Sequence, residues 1–97
     1  MGKLLVQKFG GSSLADAKRI EVVAGIISNS MSKGNSVTVV LSAMGNETDK
    51  LIELAESIHP EPNLREYDAL VSTGEQISVA LMAIALSKRG LKAKSYT

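Results

Sequence analysis

The feature that most constrains the fold is an alternation between short strand-like runs and longer segments of helical periodicity. Two apolar runs, residues 4–9 and 36–41, have the length and composition of buried strands. Each is followed by glycine and small polar residues, and then by apolar residues at steps of three and four. This alternation predicts an α/β fold with a parallel sheet and right-handed crossovers. Because the second run is apolar at almost every position, we expect helices on both faces of the sheet, in a three-layer α/β/α sandwich.

The first predicted helix has clear start and stop signals. Ser13 and Asp16 form a sequence typical of a capping box, and Lys33 followed by Gly34 is a typical helix end. Between them lies a single apolar stripe, made of Ile20, Val23, Ala24, Ile27 and Met31.

The second helix is expected to begin near Asn46 and Asp49 and to end before Pro60 and Pro62, since proline cannot continue a helical ladder. Its apolar side is Leu51, Ile52, Leu54, Ala55 and Ile58.

The last third of the chain is predicted to hold two helical pieces and a strand. A helical repeat of apolar residues runs through Leu70, Ile77, Ala80, Leu81 and Ile84. The segment Ser72-Thr73-Gly74 interrupts this repeat, so we expect a break there and a new helix beginning near Gly74. Gly90 is expected to close that helix, and residues 91–97 to form a third strand.

Composition excludes several classes of function. The 97 residues correspond to one domain or part of one, with a formal net charge of +1 that gives no general attraction to nucleic acid or to an anionic membrane. No apolar stretch is judged long enough to span a bilayer, so no membrane partner is expected. The chain has no cysteine, which removes disulfides and thiolate chemistry and is consistent with a reducing, cytoplasmic location. Its single histidine, His59, cannot build a zinc site alone, and no metal ligand is predicted.

Three polar clusters lie where a parallel sheet binds ligands, beyond strand ends or at helix starts. The first cluster, residues 8–13, places Lys8 before Gly10-Gly11, where the backbone could approach a phosphate. The free N–H groups at the start of the following helix are expected to face the same phosphate. An ordinary tight turn beside a surface lysine explains this cluster equally well. Neither G-x-x-x-x-G-K-[ST] nor G-x-G-x-x-G is present, so the common nucleotide-binding folds lose support.

The second cluster, residues 42–49, follows the second strand with small residues that leave room for a ligand. The third cluster, residues 72–76, places Glu75 in the first turn of the helix expected to start near Gly74. A capped helix start and a glutamate that complements the helix dipole are the plainer explanations of these two clusters.

Taken in this order, the three clusters resemble aspartokinase. The matching residues are Lys8-Phe9-Gly10-Gly11-Ser12-Ser13, then Ser42-Ala43-Met44-Gly45 with Thr48-Asp49, then Ser72-Thr73-Gly74-Glu75-Gln76. The resemblance covers essentially the whole chain. It implies the amino-acid-kinase fold and transfer of the γ-phosphoryl group of ATP, bound with Mg²⁺, to the side-chain carboxylate of L-aspartate. That product, 4-phospho-L-aspartate, leads to lysine, threonine and methionine.

The resemblance also implies roles for single residues. Lys8 is the expected catalytic residue. Thr48 and Glu75 are expected to hold aspartate, Glu75 by pairing with the substrate ammonium, and Ser42 to contact the reacting groups. The positions expected to bind ATP are Lys8, Phe9, Gly10, Gly11, Ser12, Ser13 and Ser42.

Aspartokinases are several times longer than this chain, so residues 1–97 are expected to be the N-terminal portion of the kinase domain, with no regulatory ACT domain. On this basis the chain alone is expected to be inactive and its parent to be a homo-oligomer. Two alternatives stay open: another acceptor of the same family, such as acetylglutamate, glutamate, carbamate or UMP, and a non-catalytic folded piece that binds a phosphate or a partner chain.

Overall fold

The structure, a computed structural model, describes residues 2–94. In chain order its elements are β1 (Leu4–Phe9), a 3₁₀ helix (Gly11–Leu14), α1 (Ala17–Ser32), β2 (Ser36–Leu41), α2 (Glu47–Ile58) and α3 (Leu64–Lys88). The first two predicted strands and the first two predicted helices are confirmed.

The two strands pair in parallel, as predicted. The register runs from Leu4 opposite Ser36 to Phe9 opposite Leu41. Both strands therefore end at the same edge of the sheet, and the segments that follow Phe9 and Leu41 emerge side by side.

The core lies on one face of this sheet. Val37, Val39 and Leu41 point toward α1 and α3, where they contact the buried residues of α1, namely Ile20, Val23, Ala24 and Ile27. The other face is open: Leu4 and Val6 are 72% and 69% exposed. The α/β class with a parallel sheet is confirmed, while the described residues supply a helix layer on one side of the sheet only.

Helix α1 has a capping residue at its start and a glycine after its end, as expected, but the capping residue is a different one. Asp16, and not Ser13, is the N-cap: its carboxylate accepts a hydrogen bond of 2.8 Å from the backbone N–H of Arg19. Ser13 lies in the preceding 3₁₀ helix. The stop at Gly34 is confirmed, with φ at +85°, a backbone conformation that favours glycine.

The expected break at Ser72-Thr73-Gly74 is wrong, because α3 is continuous from Leu64 to Lys88. The hydroxyls of Ser72 and Thr73 donate to the carbonyl oxygens of Ala69 and Leu70, one turn earlier, at 2.9 and 2.6 Å. These residues thus turn their polar groups back onto their own helix. Gly74 is buried, so its missing side chain serves packing and does not end the helix.

The buried face of α3 also differs from the expected one. It consists of residues spaced four apart, Gly74, Ser78, Met82 and Leu86. The bulkier residues of the predicted repeat face outward, with Ile77 52% and Ile84 66% exposed. Gly74 has no side chain and that of Ser78 is small, so the helix can approach the rest of the domain closely on this face. This explains why this face is the buried one.

By length and composition alone, the continuous helix α3 could cross a membrane. This differs from the expectation that no apolar stretch of the chain is long enough to span a bilayer. Core helices of soluble domains meet the same criteria, and α3 packs against both α1 and α2. The prediction of no membrane partner stays a prediction.

The start of α2 and the segment after α3 each differ from the prediction. Asn46 occupies the N-cap position of α2 but makes no side-chain capping bond, and α2 ends at Ile58, before the prolines, as predicted. Gly90 has φ at +79°, as expected for a helix stop. The predicted third strand is not formed over residues 91–94, and residues 95–97 lie outside the described part of the chain.

Candidate functional site

The first and second clusters meet at the edge of the sheet where both strands end. The backbone N–H of Ser42 donates to the carbonyl oxygen of Phe9 at 3.2 Å, which extends the parallel pairing beyond the strands. The N–H of Gly45 donates to the carbonyl oxygen of Gly11 at 2.9 Å. These two bonds hold the turn after β1 against the loop after β2.

The two glycines of the first cluster have different surroundings. A Cβ atom on Gly11 would lie 2.9 Å from the carbonyl oxygen of Gly45 and 3.2 Å from that of Ala43. Only glycine fits this approach of two backbones. A Cβ atom on Gly10 would meet nothing within 4 Å. The exposed backbone of Gly10 therefore borders open space into which a ligand could come.

The third cluster contacts the second through Gly74. A Cβ atom on Gly74 would lie 3.0 Å from the Cβ of Ala43 and 3.6 Å from Cδ1 of Leu51. The middle of α3 thus rests directly on the loop after β2. Glu75 follows this contact in sequence, but it lies in the interior of a helix that begins at Leu64, so the expected first-turn position is wrong.

The side chains of the first cluster point in different directions. Lys8 and Phe9 alternate along β1, so Lys8 is exposed while Phe9 is half-buried and packs against the core. Ser12 is exposed, and Ser13 is half-buried, with its backbone N–H bonded to the carbonyl oxygen of Gly10 at 3.1 Å.

The predicted residues of the other clusters remain accessible. Ser42 follows β2 directly and is half-buried, as is Thr48 in the first turn of α2. Glu75 is exposed. The structure thus brings the first and third clusters each against the second. It leaves Lys8, Ser42, Thr48 and Glu75 accessible to solvent or a ligand.

The source of positive charge at this edge differs from the expected one. We expected the amides of the first α-helix to face the phosphates just after the glycines, but a 3₁₀ helix follows them, and α1 starts at Ala17 behind the cap of Asp16. Helix α2 does begin beside the site, but Glu47 and Asp49 in its first turn oppose anion binding there. Lys8 is thus the cation that the first cluster provides.

The site is an open edge of the sheet. Two apolar cavities of about 290 and 230 Å³ lie elsewhere, against the faces of α1 and α3, and the second reaches the second cluster only at Met44. Within residues 2–94 no group of three His, Cys, Asp or Glu side chains could hold a metal ion.

Sequence reasoning missed the part played by Ala43 and by the burial of Gly74. The available signal was a glycine inside a long helical repeat, which usually has a packing reason when it does not end the helix.

Comparisons with known proteins agree on one relationship. The model of the amino acid kinase family matches residues 3–97. An aspartokinase of Geobacillus stearothermophilus is 50% identical over 94 residues, and an aspartokinase of Pseudomonas aeruginosa is 51% identical over the same length; each alignment covers 97% of this chain and 23% of the relative. The crystal structure of an aspartate kinase from Synechocystis superposes with a TM-score of 0.94 at 49% identity, covering 96% of this chain and 16% of that chain. The chain thus spans about a quarter of the length of these curated relatives.

Proposed function

Because this chain belongs to the amino acid kinase family, we propose that it forms part of an enzyme that transfers a phosphoryl group from ATP to the side-chain carboxylate of L-aspartate. The observation that carries the proposal is the meeting of three separate sequence clusters at one sheet edge, through the Gly11–Gly45 and Ala43–Gly74 contacts. The names of its relatives, aspartokinase and aspartate kinase, support the same acceptor.

The surroundings of Lys8 and Gly10 suit the phosphates of ATP. Gly10 borders open space, so a phosphate oxygen can approach its backbone, and the exposed ammonium of Lys8 leaves β1 at the same edge. ATP would supply the phosphoryl group and would bring Mg²⁺ with it. We assign no magnesium ligand to the described residues.

Acceptor binding is assigned to the second and third clusters. The carboxylate of Glu75 would pair with the ammonium of aspartate, and the hydroxyl of Thr48 would donate to one of its carboxylates. Ser42, at the start of the second cluster, would contact the reacting groups. A substrate carboxylate with a pKa of about 3.9 is already ionised at neutral pH and needs no general base.

The chemical obstacle in this reaction is repulsion between an anionic nucleophile and an anionic phosphate. Positioned cations and hydrogen-bond donors lower that barrier. Lys8 on the ATP side and the ordered loop around Ser42 are the groups of this chain that would act in this way.

We extend the proposal to the product 4-phospho-L-aspartate, to its use in making lysine, threonine and methionine, and to a cytoplasmic, homo-oligomeric parent enzyme. The activity is assigned to a polypeptide of the relatives' length, to which these 97 residues would contribute the three clusters.

The test is an acceptor comparison on the longer polypeptide that contains this chain. Phosphoryl transfer from MgATP is measured with L-aspartate, N-acetyl-L-glutamate, L-glutamate, carbamate and UMP as acceptors. We expect kcat/KM for aspartate to exceed that for every other acceptor. A higher value for any other acceptor would overturn the assignment to aspartate, and transfer to none of them would overturn the kinase assignment.

A further inference from the structure

Ala43 lies between the other two clusters and has little freedom to move. Its side chain faces Gly74 of α3, and its carbonyl oxygen lies on the side of Gly11, 3.2 Å from where a Cβ of that glycine would stand. The residue is 4% exposed. The bond from the N–H of Gly45 to the carbonyl oxygen of Gly11 fixes the loop two residues further on.

Gly74 is equally constrained. It is buried on the inner face of α3, and an added methyl group would lie 3.0 Å from the Cβ of Ala43, closer than ordinary van der Waals contact. The neighbour would have to move by a few tenths of an ångström. Ala43 cannot move away freely, since its carbonyl oxygen already lies against Gly11.

Each residue of the Ala43–Gly74 contact is adjacent in sequence to a residue that is assigned to the proposed site. Ser42, which would contact the reacting groups, precedes Ala43, and Glu75, which would hold the aspartate ammonium, follows Gly74. The Ala43–Gly74 distance therefore sets how far the acceptor side chain on α3 stands from the loop after β2.

From this arrangement we propose that Ala43 and Gly74 are positioning residues, whose direct contact fixes the aspartate-binding side chain of α3 relative to the phosphate-binding edge of the sheet. The inference rests on the proposed function. Both residues are buried, so each would act through its neighbour, Ala43 through Ser42 and Gly74 through Glu75.

The test uses steady-state kinetics of the longer polypeptide in three forms: Gly74→Ala, Ala43→Gly, and the two changes together. We expect Gly74→Ala to lower kcat about 10-fold and to raise the KM for aspartate, because small misplacements of bound reactants are costly. The KM for ATP should stay within about twofold, since the first cluster approaches Ala43 at its carbonyl oxygen and not at the methyl group that faces Gly74. The double substitution moves the single methyl group from one partner to the other, so it should restore most of the lost kcat.

Gly25→Ala is the matched control. Gly25 is also a helical glycine, but the atoms nearest to a methyl group there belong to the end of the Arg89 side chain, with Nη2 at 3.1 Å. That side chain is exposed and can move. We expect wild-type kcat and KM values from this variant. Thermal unfolding of all forms confirms that each is folded at the assay temperature.

Three outcomes are distinguishable. Loss of kcat in Gly74→Ala with recovery in the double variant supports the positioning role. Wild-type kinetics in Gly74→Ala, or a loss that the double variant does not relieve, overturns it, even if the melting temperature falls. If the unsubstituted polypeptide does not phosphorylate aspartate, the proposed function itself fails and the positioning role falls with it.

Discussion

The backbone N–H of Gly45 donates to the carbonyl oxygen of Gly11 at 2.9 Å, and this bond joins two turns that are more than thirty residues apart in the chain. A parallel sheet makes the meeting possible, since β1 and β2 end at one edge in register. Because Gly11 has no side chain, the two turns can approach closely enough to form this hydrogen bond. A Cβ on Gly11 would lie 2.9 Å from the carbonyl oxygen of Gly45.

Gly11→Ala is expected to lower the free energy of unfolding by about 1–3 kcal/mol, the usual cost of forcing extra volume into a packed position. The obstacle is backbone, which cannot rotate away as a side chain can. Urea titration measures the change. Gly10→Ala is the control for stability, since its Cβ would meet nothing within 4 Å, and it should unfold like the parent. Equal losses in both variants would contradict the role of the Gly11–Gly45 approach.

Asp16→Ala is expected to cost about 1 kcal/mol of stability, because it removes the hydrogen bond from its carboxylate to the N–H of Arg19 at 2.8 Å. Asn46→Ala is the matched variant: Asn46 holds the same position at the start of α2 but makes no side-chain capping bond, so its replacement should cost less. Chemical denaturation of both variants compares the two caps, and a larger loss from Asn46→Ala would contradict this account.

Much of the fold could be predicted from the sequence, because local signals and tertiary packing agree there. The strand at residues 36–41 is rich in β-branched side chains. Gly34 adopts the positive φ expected of a helix stop, and α2 ends at Ile58, before the two prolines. Each of these features depends on the chemistry of a few neighbouring residues, which a sequence pattern records directly.

The errors concern residues whose role depends on distant parts of the chain. Glycine is a residue typical of helix breaks, which is why a break was expected at Gly74. Its contact with Ala43 is formed only when α3 packs on the loop after β2. The outward position of Ile77 and Ile84 has the same cause, since the smaller face of α3 is the one that fits. The three clusters could be found from the sequence, but the contacts that join them depend on tertiary packing. The roles of their individual side chains stay predictions.

Lys8→Ala is expected to lower kcat by roughly 10²-fold, as removal of one group that stabilises the transition state typically does. The exposed lysine at the end of β1 is the cation that the first cluster places beside open Gly10. Lys3→Ala, an exposed lysine just before the start of the same strand, is the control and should leave turnover unchanged. Unchanged turnover in Lys8→Ala would remove Lys8 from the mechanism.

Glu75→Gln is expected to raise the KM for aspartate more than the KM for ATP, because only the substrate ammonium loses its charged partner. The side chain is exposed in the middle of α3, so the change should not affect folding. Initial rates measured while each substrate is varied separately give the two KM values. Glu53→Gln, an exposed glutamate on α2, tests for a general effect of lost negative charge and should change neither. Equal increases in both KM values for Glu75→Gln would refute its proposed role.

Acidification is expected to weaken the ion pair between Glu21 of α1 and Lys88 of α3, whose Oε1 and Nζ atoms are 2.7 Å apart. The hydrogen bond from Lys88, then its charge and the weaker attraction of Arg89, hold the pKa of the Glu21 carboxyl below its usual value of 4.5. Because the folded-state pKa is the lower one, the stabilisation is complete above about pH 4.5 and is lost as the pH falls through the lowered pKa.

Lys88→Met should therefore have a lower melting temperature than the parent at pH 7, and the difference should shrink as the pH falls below 4.5. Both side chains are more than half exposed, so 0.5 M NaCl should also reduce the difference at pH 7. Lys50→Met is the matched control: its pair with Glu47 is longer, at 3.4 Å, and lies within a single helix, so its loss should change the melting temperature less. A melting difference for Lys88→Met that is independent of pH would mean that lost packing of the lysine side chain, and not the ion pair, joins α1 to α3.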